Sequence, residues 1–200
     1  MRLMKMLVGV VLAAAVLSQP PAPVKVRLDT SKGPIVIAVH REWAPRGADR
    51  FLELVEGGYY DEARFFRIRK GTWVQFGIAG DPKVAQAWRP KTIADDPFIG
   101  VANKRGTVAF AFKDPNGRTT QVFINLKDNS ETHDKEPFVV FGEVEQGMES
   151  ADALYADYGE TAGGGIRAGR QDPVFEGGNV YLKEKFSLLD WIRTARVVRP

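Results

Sequence analysis

Five side chains on neighbouring strand-like runs carry the chemistry this sequence could support: Arg67, Trp73, Gln75, Gln121 and Phe123. In the run from Phe65 to Lys70, Phe66 and Ile68 are expected to point inward, which sends Phe65, Arg67 and Arg69 outward. The same alternation turns Val74, Phe76 and Ile78 inward and leaves Trp73 and Gln75 out. Between Gln121 and Leu126 it buries Val122, Ile124 and Leu126 and presents Gln121 and Phe123, while Ala109 and Ala111 are the small outward residues of Gly106 to Phe112. Taken singly, each fits an ordinary surface position. Together, one arginine, two glutamines and aromatic surface form a set that solvent exposure alone would not select. Cysteine is absent and the two histidines are His40 and His133, so thiol nucleophiles, disulfides and zinc ribbons are excluded and a metal site has little to draw on.

The elements that must position these residues follow from periodicity. Val24, Val26 and Leu28 alternate with charged residues, Ser31 to Gly33 turns the chain, and Ile35 to Val39 returns, which is a hairpin pattern. Ala44 and Pro45 open a helix with Ala48, Phe51, Leu52 and Val55 at helical spacing, ended by Gly57 and Gly58. Residues 79–105 read as a long polar loop, and Asp114 to Gly117 as a turn. Further strands are expected at Phe138 to Val144 and Ala195 to Val198. A second helix is expected after Gly147, with Met148, Ala151, Leu154 and Tyr155 on one stripe. Eight short strands and two helices predict a mainly β fold, a closed eight-stranded antiparallel barrel capped by the two helices.

The 200 residues, 44 % hydrophobic and 26 % charged, with 20 Gly and 12 Pro, suit one strand-rich globular domain. Met1 to Lys5 is a basic head, Met6 to Leu17 an uncharged apolar run, and Val16 to Ser18 supplies small residues for cleavage. This is the layout of a signal peptide over residues 1–18, too short to span a bilayer core of about 30 Å. A proline-rich lead-in over 19–23 and a domain over 24–200 complete the expected organisation, with a periplasmic or secreted product and no stable membrane insertion after cleavage. Arg2 and Lys5 account for two of the net charges of +3, so the remainder carries about +1 and the electrostatic case for a nucleic-acid partner is weak.

The run Phe65, Phe66, Arg67, then Gly71, Trp73, Gln75 and Gly77 resembles the signature of the cyclophilin-type peptidyl-prolyl cis-trans isomerases, including the eight positions from Arg67 to Gln75. Gly106 to Ala109, Gln121 to Asn125 and Val139 to Met148 look like the family's other blocks, in order; the likeness runs from about Val24 to Tyr158 and resumes at the last strand. It implies a cyclophilin-like barrel in which Arg67 is the catalytic guanidinium, with Gln75 and Gln121 as polar neighbours. Phe123 and Trp73 would wall the proline pocket, with Thr132 and Phe138 at its edge, and Ala111 and the Phe112 backbone would hold the peptide. It also implies proline-containing polypeptide substrates, no cofactor and no metal, and a monomer.

Several residues depart from the family pattern. Phe66 stands for a histidine, Thr72 for an aromatic, Phe112 for an asparagine, Phe138 for another histidine, and Glu131 to His133 for an aromatic-Leu-Asp stretch. Thr72 and Thr132 would make the proline pocket less apolar, with Trp73 and Phe138 available to refill it. Other readings of the chain are a proline-segment-binding chaperone module with little turnover, and a nucleic-acid surface at Arg64 to Trp73, where basic and aromatic residues interleave. Gly163 to Gly165 is not placed between a strand and a helix as a phosphate loop would be. The pairs Asp61–Glu62 and Asp95–Asp96 read as solvated loop charges.

Overall fold

A computed structural model describes residues 21–136, 138–163 and 170–199. The expected signal peptide, and with it residues 19 and 20 of the lead-in, lies outside the described residues, as do Gly164 and Gly165. The strands are β1 (Val24–Thr30), β2 (Gly33–Val39), β3 (Arg67–Arg69), β4 (Trp73–Phe76), β5 (Thr107–Phe110), β6 (Val122–Asn125), β7 (Val140–Gln146) and β8 (Ile192–Val197). They form one antiparallel sheet in the order β3-β4-β6-β5-β7-β2-β1-β8.

The sheet curls without closing along its length. Its two edge strands, β3 and β8, do not pair; the chain just ahead of each meets at a single bridge, Arg64 to Trp191. Phe65 N–H donates to the Asp190 carbonyl (3.0 Å) and Ile192 N–H to that of Ala63 (2.9 Å). The expected closed barrel is therefore a curled sheet pinned at one seam. At that seam Arg64 is buried, donates to the Leu189 carbonyl at 2.7 Å and stacks on Trp191. It is not part of an exposed basic-aromatic surface. Phe65 is wholly buried rather than outward, because β3 begins only at Arg67 and the alternation does not reach back to it. Ala109 shares a face with Phe123, its partner in register, yet has no exposed surface.

Among the described residues there are five α-helices, not two. In α1 (Pro45–Glu56) the four spaced residues of the sequence pattern are all buried, with Leu54 beside them, and Phe51 meets Phe141 inside the sheet at 5.0 Å between ring centroids. The others are α2 (Pro82–Trp88), α3 (Ser130–His133), α4 (Met148–Asp152) and α5 (Asp172–Lys185). α2 hid in the supposed loop because it buries only Ala85 and so leaves no apolar stripe; Asp81 caps it, accepting from Lys83 N–H at 2.8 Å. α4 ends before Leu154 and Tyr155. α5 is broken at Gly178, whose φ of 50° interrupts the helical spacing.

Asp96 is not a solvated charge. Its side chain is buried against Arg118 (3.1 Å), and it accepts from the backbone N–H groups of Arg46 and Gly47, each at 2.9 Å. Since α1 has no side-chain cap of its own at Ala44, a carboxylate from the segment after α2 supplies one, at the end of the helix where negative charge is favoured. Asp95 flanks the same guanidinium at 3.0 Å. Asp61 is likewise engaged, with both carboxylate oxygens on Arg196 at 2.7 Å.

Candidate active site

Register assembles the site. β3, β4 and β6 lie side by side, so Arg67, Gln75 and Phe123 stand in one row across three strands, and Arg69 and Trp73 lie opposite each other one pleat further along the same face. Gly77 lets β4 leave the sheet close to β6: its φ is 110°, and a Cβ there would sit 2.3 Å from the Thr120 carbonyl.

The Arg67 guanidinium is held on three sides. Nη1 donates to Gln75 Oε1 at 2.9 Å, Nη2 donates to Glu160 Oε1 at 2.7 Å, and the Trp73 ring lies 4.6 Å from the guanidinium carbon. Nε is buried and has no partner among the described residues. Burial draws the guanidinium's pKa below its usual value while the Glu160 carboxylate opposes this; an arginine remains charged at physiological pH in either case. Gln75 passes the bonding on, donating to Gln121 Oε1 at 2.8 Å, and Gln121 Nε2 donates to Gln171 at 2.8 Å. An Arg with three fixed neighbours loses little further freedom on gripping a ligand.

Beside it is a cavity of about 410 Å³, within the size range of small-ligand sites. Its apolar wall is a group of rings. Phe138 meets Phe112 at 4.5 Å, Phe123 at 5.4 Å and His133 at 5.0 Å between centroids. Burial lowers the His133 pKa, Lys127 acting in the same sense against Glu136 and Asp134, so the imidazole is neutral near pH 7. Buried asparagines hold this wall in place. Asn103 Nδ2 donates to the Phe138 carbonyl and to Asp134, each at 2.8 Å, while Asn125 of β6 donates to Asn103 at 3.1 Å and accepts from Asn129 at 2.7 Å.

Of the nine residues singled out by sequence, Arg67, Trp73, Gln75, Ala111, Phe112, Phe123, Thr132 and Phe138 line this cavity. Gln121 does not; it touches Gln75 from behind. Trp73 serves as a platform for the guanidinium as well as a wall. Phe112 contributes its ring, not the backbone alone. Thr72 stays out of the lining, and the Thr132 hydroxyl is turned back to the Asn129 carbonyl at 3.1 Å, so Phe138 and His133 supply the apolar surface. Glu160, His133, Glu136, Arg69 and Lys113 line the cavity and were not expected there. Glu160 reaches the site because Ile68 N–H donates to the Gly159 carbonyl at 2.9 Å, docking this segment on β3. No local motif marks it. Gly163 follows, so close that a Cβ would sit 2.9 Å from Arg67 Cβ.

A curled eight-stranded sheet bearing an arginine beside a ring-lined notch defines a class of protein, and comparison with known proteins identifies it. The model of the family described as cyclophilin type peptidyl-prolyl cis-trans isomerase matches residues 25–169. This chain belongs to that family. It is 35% identical over 136 residues to the peptidyl-prolyl cis-trans isomerase cyp18 of Streptomyces antibioticus, covering 64% of this chain and 81% of that one. Peptidyl-prolyl cis-trans isomerase B of Escherichia coli strain K12 is 32% identical over 136 residues, with coverage of 64% and 82%. A crystal structure of a cyclophilin type isomerase from Cryptosporidium parvum superposes with a TM-score of 0.64 at 18% identity, covering 89% of this chain and 99% of that one, which supports the fold.

Proposed function

We propose that this protein accelerates cis-trans interconversion of X–Pro bonds in exported polypeptides, with Arg67 as the group that lowers the barrier. The observation that carries the reading is a guanidinium fixed by Gln75, Glu160 and the Trp73 face beside a notch walled by Phe112, Phe123 and Phe138. Rotation about an imide is slow because nitrogen shares its lone pair with the carbonyl, giving a barrier of about 18–20 kcal/mol. In the twisted state the pair returns to nitrogen. A donor aimed at that nitrogen, or at the flanking carbonyl, stabilises the twisted state more than the planar one, and this difference is what lowers the barrier. The rings hold the pyrrolidine while the flanking chain turns. In this reading Ala111 and Phe112, which line the notch just past β5, hold the peptide backbone. No covalent intermediate is needed. The role on exported chains rests on the basic head and apolar run of residues 1–17.

The test is exchange spectroscopy on an Ala-Pro peptide with the purified domain. Acceleration is expected, and Arg67→Ala should lower it by about 10²–10³-fold, the usual effect of removing one donor aimed at developing charge, while the thermal transition is retained. Binding of the peptide without faster exchange would favour the proline-segment-binding module, a reading to which the engagement of both Arg67 Nη atoms lends some support.

A further inference from the structure

Two cations at the rim of the site are unspent. Arg69 and Lys113 both line the cavity, both are exposed, and neither has a hydrogen-bond or ion-pair partner among the described residues. Their neighbours are different: Arg67 is paired with Glu160, and Lys70 with Asp157 at 3.5 Å. The acidic residues of the lining are Glu160, whose charge is committed to Arg67, and Glu136, on the His133 wall, where it acts on that imidazole.

The strand register puts the two cations at opposite ends. Arg69 pairs with Trp73, which pairs with Asn125; Arg67 and Gln75 align with Phe123; and Ala111 N–H donates to the Gln121 carbonyl, with Lys113 two residues beyond. Along β6 the order is Asn125, Phe123, Gln121, so Arg69 lies past one side of the ring-lined centre and Lys113 past the other. Rows two residues apart are roughly 7 Å apart, so the three steps from the Arg69 row to the level of Lys113 separate the two ends by roughly 20 Å along the strands, which an extended peptide of about six residues spans. A segment with its proline against Phe123 would thus bring residues on both sides of that proline within reach of a positive charge.

Building on the isomerase reading, we infer that the preferred substrates are X–Pro segments carrying a carboxylate within two residues of the proline, read by Arg69 on one side and Lys113 on the other. Both heads are solvated, so the effect of each is modest and sensitive to salt, at about threefold to fivefold per side.

The test uses proline hexapeptides that differ only in Glu, Gln or Lys on either side of the proline, with affinity and exchange rate read in the same titration by nuclear magnetic resonance. The ratio of Glu to Gln peptides is the readout, with a neutral Ala-Pro peptide as reference. Glu peptides should be favoured over Gln, and Lys peptides disfavoured. The Glu preference should shrink between 20 mM and 500 mM salt, and Arg69→Gln and Lys113→Gln should each abolish it on one side. Equal affinities for Glu and Gln peptides, or a preference that survives in the double variant, would overturn the inference. Failure to accelerate even the neutral peptide would instead count against the isomerase reading, while the affinities would still decide selectivity.

Discussion

The carboxylate of Glu160 is the residue that most changes how Arg67 is understood. A guanidinium held by Gln75 alone could swing about that one bond; a second acceptor on Nη2 and the Trp73 face fix its plane. Hydrogen bonds to charged groups contribute about 1.5–3 kcal/mol, so losing this one permits appreciable misalignment. Glu160→Ala is expected to lower kcat by roughly tenfold with little change in KM. Glu160→Gln, which keeps the acceptor, should recover most of that loss. A fall in both constants together, or no recovery by Gln, would point to general disruption of the segment. His133 offers a second residue-scale test. Burial holds its pKa in the folded protein below the unfolded value of about 6.5, so the unfolded chain takes up this proton first as pH falls. Its contribution to stability is complete above about pH 6.5 and is lost as the pH drops through the folded pKa. Between pH 7 and 5 the Tm of the native protein should therefore fall more steeply than that of His133→Gln, as followed by circular dichroism.

At the scale of elements, long-range polar contacts decide what periodicity could not. The start of α1 is capped by Asp96, nearly fifty residues further along the chain, and Asp96 is in turn neutralised by Arg118. Arg118→Ala would leave a buried carboxylate without its cation, a change that typically costs about 3–5 kcal/mol. For a domain of this size a lowering of Tm by roughly 10 °C is expected in a thermal melt; a change of one or two degrees would show that the carboxylate is satisfied by the helix N-terminus alone. The wall of the site depends on similar contacts, since Asn103, from the irregular segment after α2, ties down the Phe138 carbonyl. Strand positions were legible where apolar and charged residues alternate, as in β1, and where short apolar runs are bounded by turn residues. α2 and α5 were not, because one buries a single alanine and the other is interrupted at Gly178.

For the whole molecule, the sheet is held at its seam by a few bonds between residues 63–65 and 189–192, so the C-terminal segment completes the fold that the N-terminal hairpin begins. No helix among the described residues is long and apolar enough to cross a membrane. The proposed export, resting on the basic head and apolar run of residues 1–17, predicts a mature chain that starts near Gln19. Sequencing the N-terminus of protein recovered from the producing cells checks this directly, and a soluble product that begins at Met1 would refute it.

Sequence by itself determined the alternating strands, the first hairpin, α1 and eight of the residues around the cavity, because each depends on a period of two or 3.6 residues or on a short block in which spacing and residue type travel together. Tertiary structure alone decided that Glu160 grips Arg67, that Asp96 is buried against Arg118, that Phe65 packs inside, and that Arg69 and Lys113 flank the site. Those outcomes depend on segments far apart in the chain meeting at a particular register and distance, and a linear pattern contains no term for that.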